Sequence, residues 1–114
     1  RSFDVPFMLI RSAIHQVKPT KDLMSNRYLG SQKYGAKHID LLDQLSFYGA
    51  SQRKGNLHLF CRAFGIESPK EEFSGDQVGE LFAQKKFLDI ARYNVGDLVS
   101  TTKLYKIWQE FLKA

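Results

Sequence analysis

Apolar residues recur at helical spacing along several stretches of the chain, separated by polar segments that carry most of its glycines and prolines. Near the beginning, Phe7, Ile10, Ala13 and Ile14 mark the buried face of a helix that Asp4 is placed to cap, with Pro6 in its first turn and an end near Val17. Residues 37–42 form a short apolar run that reads as a buried strand ending near Asp40. Asp40 then caps a brief helix through Phe47, which Tyr48-Gly49-Ala50 ends. Asn56 is placed to cap a helix with Leu57, Phe60, Cys61 and Phe64 inward and Gly65 as its stop. Ser74-Gly75-Asp76 begins another, through Ala83, with Val78, Leu81 and Phe82 inward. The last predicted helix is the longest, residues 86–112, with an apolar stripe of Leu88, Ala91, Val95, Leu98, Val99, Thr102 and Tyr105. Gly96 in its middle costs about 1 kcal/mol relative to Ala, so a kink or a close neighbour is expected there. Tyr93 and Asp97 fall off the stripe, at its flank.

Residues 18–37 break this pattern. They hold Pro19, Asn26, Gly30 and Gly35, show little periodicity, and set Lys18, Lys21, Arg27, Lys33 and Lys37 against the single acid Asp22. A long basic loop is expected, of a kind that is uncommon in compact domains unless it serves a function or moves. With Tyr28 and Tyr34 interleaved, and with Arg53-Lys54 in a later turn, it suits a single nucleic-acid strand held by phosphate contacts and base stacking; Lys33, Lys37, Arg53 and Lys54 are the candidate contacts. For any one of these lysines a solvated surface role is as good a reading.

The 114 residues allow one domain, 1–114, with an ordinary 43% hydrophobic content. Seventeen Lys and Arg against 12 Asp and Glu give a net charge of +5, which favours a polyanionic partner without requiring one. Cys61 is the only cysteine, so no internal disulfide forms and the cytoplasm is the default compartment. No apolar run approaches the roughly 20 residues that span a bilayer, and a soluble protein with no membrane partner is expected. Arg1 opens directly into an amphipathic run, which suggests a chain that begins inside a larger protein.

Tyr93 and Asp97 lie four apart, so on a helix their Cβ atoms are about 5–6 Å from each other on one face. A carboxylate and a phenol so placed suit one site, though they equally suit a surface contact. Asp4 as a plain N-cap is worth about 1 kcal/mol and needs no metal. Asp40, Asp43 and Asp76 read as caps or solvated groups. His58 and Cys61 have the spacing of half a zinc site, but no second pair follows, and Cys61 reads as core.

Phe3-Asp4 at a helix start, followed late in the chain by Tyr93-x-x-x-Asp97, resembles the second and third motifs of the DEDDy branch of the DEDD 3′–5′ exonucleases. SFDVPFMLIRSAIHQV, KHIDLLDQLSFYGA, GDQVGELF and IARYNVGDLVSTTKLY together resemble, in order, bacterial exonucleases related to the exonuclease domain of family B DNA polymerases. The resemblance implies an α/β, ribonuclease H-like exonuclease fold, present here as a mostly helical C-terminal portion without the first strands of its sheet. It implies two Mg²⁺ or Mn²⁺ ions in the full domain, with Asp97 a ligand of the ion that holds the attacking water, Asp4 serving the second ion largely through water, and Tyr93 orienting the attacking water. The family uses four carboxylates, and Asp4 and Asp97 match two of them. The first motif, Asp-x-Glu, is absent, because no Asp here is followed two residues later by Glu. The expected function is therefore 3′–5′ exonuclease in the full-length parent, acting on nucleic acid such as a single-stranded DNA 3′ end, with this chain inactive alone. Its apolar face, left uncovered, is expected to pair with another copy or with the missing part. The competing expectation is a non-catalytic helical module that binds nucleic acid or protein, with Asp4 only a cap and Tyr93 and Asp97 on the surface.

Overall fold

A computed structural model describes residues 2–25, 28, 34–35, 38–51, 55–67 and 75–113. The chain divides into two compact units, Arg1–Arg53 and Lys54–Ala114. The first holds helices α1 (Asp4–Ile14) and α2 (Leu41–Leu45); the second holds α3 (Leu57–Ala63), α4 (Val78–Ala83) and α5 (Phe87–Ile107), the last continued by a π-helical turn over Trp108–Leu112. The described part is mostly helical and contains no strand. It is compatible with a portion of an α/β domain, although the strand expected before Asp40 does not form: His38 and Ile39 lie outside regular structure. A strand needs a neighbour to complete its hydrogen bonds, and the described residues provide none.

In α1 the sequence expectation is corrected in two ways. Phe3, not Asp4, occupies the cap position, and no side chain caps the helix. The first helical bond runs from the Phe7 N–H to the Phe3 carbonyl (2.9 Å), while the two rings stack at 5.9 Å. Asp4 therefore sits in the first turn, where a negative charge favours the helix dipole without satisfying an amide. Pro6 cannot fix this register, because a missing N–H is tolerated anywhere in the first turn. The expected buried face is also exposed: Phe7, Ala13 and Ile14 face solvent and Ile10 is 64% exposed, whereas Val5, Leu9 and Ser12 are half-buried.

Local chemistry dictates the next two helix starts. Asp40 Oδ1 accepts from the Leu42 N–H (2.9 Å) and, longer, from the Asp43 N–H (3.4 Å), and Asn56 Oδ1 accepts from the Leu59 N–H (2.8 Å). Gly55, just before Asn56, has no room for a side chain: a Cβ there would lie 2.7 Å from the Phe60 ring. Helix α2 stops at Leu45, short of the expected Phe47, which takes a left-handed conformation at φ 51°.

Four helices end in the same way. The residue after the C-cap turns left-handed, its N–H bonds back three residues, and the next N–H bonds back five, as in Gly65 to Arg62 (3.3 Å) and Ile66 to Cys61 (2.8 Å). Gly65 fills this position in α3, but Gln16, Phe47 and Lys85 fill it in α1, α2 and α4 at φ of 51–56°. A left-handed residue with a Cβ is strained by roughly 1–2 kcal/mol. Lys85→Gly is accordingly expected to stabilise the chain by about 1 kcal/mol, with the extra freedom of glycine when unfolded offsetting part of the relief. A urea unfolding midpoint that falls instead of rising would show that the Lys85 side chain contributes more than its strain.

In the second unit α3 and α4 both pack against α5, whose inward face runs through Tyr93, Gly96, Asp97, Ser100, Leu104 and Trp108. Cys61, Leu81, Leu104 and Trp108 are buried, the Trp108 ring tilted against Tyr105 at 5.7 Å. This overturns the expected orientation of α5. Leu88, Val95, Leu98 and Val99, assigned inward from their apolarity, are about half or more exposed, and the supposed flank of Tyr93 and Asp97 faces the other helices. Phe82 of α4, also assigned inward, is 65% exposed.

Candidate functional site

Tyr93 and Asp97 occupy successive turns of the inward face of α5, and both are half-buried. One turn further along, Ser100 is 1% exposed, and its hydroxyl makes no hydrogen bond of ordinary geometry among the described residues; it has only the weak contact of the Cys61 thiol. Cys61, fully buried on α3, ties this face to its neighbour. Burial pushes the Cys61 thiol above its ordinary value, the Ser100 hydroxyl draws it partly back, and the Asp97 carboxylate adds to the rise. At neutral pH Cys61 is therefore a neutral packing group, and its burial removes any pairing with the exposed His58 as half of a zinc site. The Asp97 carbonyl accepts from the Thr101 hydroxyl (2.7 Å), and the Leu98 carbonyl accepts likewise from Thr102 (2.8 Å).

Asp4 belongs to the first unit, exposed in the first turn of α1, whereas Tyr93 and Asp97 belong to the second. Of the candidate site residues, the structure places Tyr93 and Asp97 together on one helix face. Among the described residues no three His, Cys, Asp or Glu side chains gather as a metal-binding group. Lys33, Lys37, Arg53 and Lys54 lie outside the described residues, as does Arg27; Tyr28 and Tyr34 of the basic loop are 70% and 74% exposed. No helix among the described residues is long and apolar enough to cross a membrane.

A hollow of about 490 Å³, not anticipated from the sequence, opens between α4 and α5, with Tyr93 among its lining residues. Phe82 and Phe87 stand at it edge to face, 5.4 Å apart, with Val78, Ile90 and Asn94 completing its wall. The available signal was Phe82-x-x-Lys85-Lys86-Phe87, two aromatics bracketing two cations. An inward assignment of Phe82 concealed it.

With this geometry stands a match of residues 1–113 to the family described as predicted 3′-5′ exonucleases related to the exonuclease domain of PolB, and the chain belongs to that family. An uncharacterized protein of Methanocaldococcus jannaschii is 30% identical over 115 residues, a stretch that takes in 92% of this chain and 58% of that protein. The chain thus spans little more than half the length of this relative. No solved structure matches it.

Proposed function

We propose that the chain is part of a ribonuclease H-like 3′–5′ exonuclease domain that hydrolyses the terminal phosphodiester of a nucleic acid, a single-stranded DNA 3′ end first among them, with two divalent cations, Mg²⁺ or Mn²⁺. The observation that carries the reading is the family match across residues 1–113, and Tyr93 and Asp97 on one half-buried face support it. The donors are all oxygen, as hard cations require, and the protonated Cys61 beside Asp97 does not compete for such an ion. They fit part of a two-ion site, since the chain brings two of the four carboxylates used in the family it resembles. When bound, such cations neutralise the phosphodiester and lower the barrier to its attack. Asp97, in the middle of α5, would hold one ion, Asp4, in the first turn of α1, would serve the other largely through water, and the Tyr93 hydroxyl would orient the attacking water. Leu88, Val95, Leu98 and Val99 form the surface covered by the rest of the domain or by a second copy.

The test compares this chain with a longer form that carries an Asp-x-Glu motif. The longer form is expected to release nucleoside 5′-monophosphates from the 3′ end of a labelled single strand in Mg²⁺ and not in EDTA. The isolated chain is expected to release none and to self-associate in sedimentation at high concentration. Activity of the isolated chain would overturn the division of the carboxylates, and a strictly monomeric chain would remove the second copy.

A further inference from the structure

Helix α5 is packed on one side and open on the other. Leu88, Ala91, Val95, Leu98, Thr102 and Tyr105 alternate three and four residues apart, so they form one narrow seam about 25 Å long on the side away from Ser100 and Leu104. All but the half-buried Tyr105 are exposed. Lys103 and Lys106 follow Arg92 by eleven and fourteen positions, close to whole numbers of turns, so the three cations share one edge of the seam. All three are exposed, and no carboxylate among the described residues pairs with them. The opposite edge, through Asn94 and Thr101, carries no charge. An alternating seam of this kind receives a second helix lying nearly parallel to it, and the charges at its edges select which helix. A second copy of α5 fills it only against repulsion. Within Phe87–Ile107 the acids are Asp89 and Asp97, and Asp97 faces inward, so each copy sets three cations against one available carboxylate. A nucleic-acid strand would match the cations and leave the apolar seam in water. An apolar helix with acidic residues along one edge satisfies both.

We infer that the open seam of α5 takes an apolar helix whose carboxylates, in a row along one edge, pair with Arg92, Lys103 and Lys106, and that the part of the longer form outside this chain supplies that helix. Its source rests on the reading of the chain as part of a larger domain; the chemistry of the helix does not rest on catalysis. The relative from Methanocaldococcus jannaschii, 58% covered, has the length for such a helix outside the matched stretch. Apolar contact along the seam supplies the affinity, and the charged edge fixes the partner and its register.

The experiment measures fluorescence anisotropy of a fluorescein-labelled synthetic helical peptide of heptad repeats with this chain. The peptide has leucine at the two seam positions of each heptad and glutamate at both flanking positions; one twin has lysine in place of glutamate, and another has serine in place of leucine. The glutamate peptide is expected to bind, the lysine twin to bind about tenfold more weakly, and the serine twin to lose binding. Arg92→Glu with Lys106→Glu is expected to reverse the preference between the glutamate and lysine peptides. Both positions are exposed, and the reversal includes a gain of binding that a misfolded chain would not give. The longer form that carries an Asp-x-Glu motif is expected not to bind the glutamate peptide, because its seam is filled. No binding by the unaltered chain, as when a second copy holds the seam, equal binding of the glutamate and lysine peptides, or full binding of the serine twin would each overturn the acidic helix. Binding of the glutamate peptide by the longer form would mean that the helix comes from a separate protein, and would overturn its source. If the exonuclease reading alone is wrong, the longer form releases no nucleotides while the peptide results stand.

Discussion

Under the proposed function, replacing Asp97 by Asn in a longer form that carries an Asp-x-Glu motif is expected to lower Mg²⁺-dependent release of mononucleotides about a thousand-fold, or roughly 4 kcal/mol of transition-state stabilisation. The change keeps the size of the side chain and its place on α5 but removes the charge that would hold a cation in the proposed site. It leaves untouched the Thr101 hydrogen bond, which uses the Asp97 main-chain carbonyl. It also removes a negative charge from beside the buried Cys61 thiol, one of the causes that hold that thiol above its ordinary value. Tyr93→Phe, which removes the hydroxyl proposed to orient the attacking water, is expected to cost less, about ten- to a hundred-fold. Asp76→Asn, on an exposed turn before α4, is the control and is expected to change nothing. Asp4 belongs to the other unit, and a double variant tests whether it works with Asp97. If both carboxylates serve one reaction, as proposed, Asp4→Asn with Asp97→Asn is expected to be little worse than Asp97→Asn alone. Fully multiplicative losses would mean that the two carboxylates serve separate ends, and unchanged turnover in Asp97→Asn would return Tyr93 and Asp97 to the status of a polar contact inside a helical module.

What could be read from the sequence was whatever depends on residues close together in the chain. Asp40 and Asn56 cap as expected because a short side-chain oxygen reaches an amide two or three residues on whatever else the protein does. Gly65 stops α3 because no other residue takes φ 66° without strain. The same turn at Gln16, Phe47 and Lys85 left no such mark, since there the helix end is imposed on residues that resist it. The long helix was legible in extent, with α5 beginning one residue from the expected start, but not in orientation. An apolar stripe says that a face is covered in the working protein; it does not say by which part. Here α3 meets α5 at Ser100, whose small size carried no hydrophobic signal, and the stripe at Leu88, Val95, Leu98 and Val99 stays exposed. Tyr93 and Asp97 were legible as a pair from their spacing, while their half-buried setting came from packing that begins forty residues earlier, at α3.

Leu104→Ala is expected to destabilise the second unit by about 3 kcal/mol, the range in which buried Leu truncations fall. Leu104 is 2% exposed on the inward face of α5, between Ser100 and Trp108, and among the described residues of this unit the buried apolar set is small: Cys61, Leu81, Leu104 and Trp108. A chain of this length has few kcal/mol to lose, so the variant should unfold at much lower urea and bring a premature transition in near-ultraviolet circular dichroism from Trp108. Leu98→Ala, on the same helix but 57% exposed, provides the contrast and is expected to cost less than about 1 kcal/mol in this chain. Equal costs at the two positions would mean that the inward face of α5 is not the one through Ser100 and Leu104. The comparison gains a second use in the longer form. If the rest of the domain covers the stripe, Leu98→Ala becomes a buried truncation there and its cost rises toward that of Leu104→Ala, while the cost at Leu104 is unchanged. The difference between the two settings measures, at one side chain, how much of the stability of this helix is supplied by what lies over the stripe.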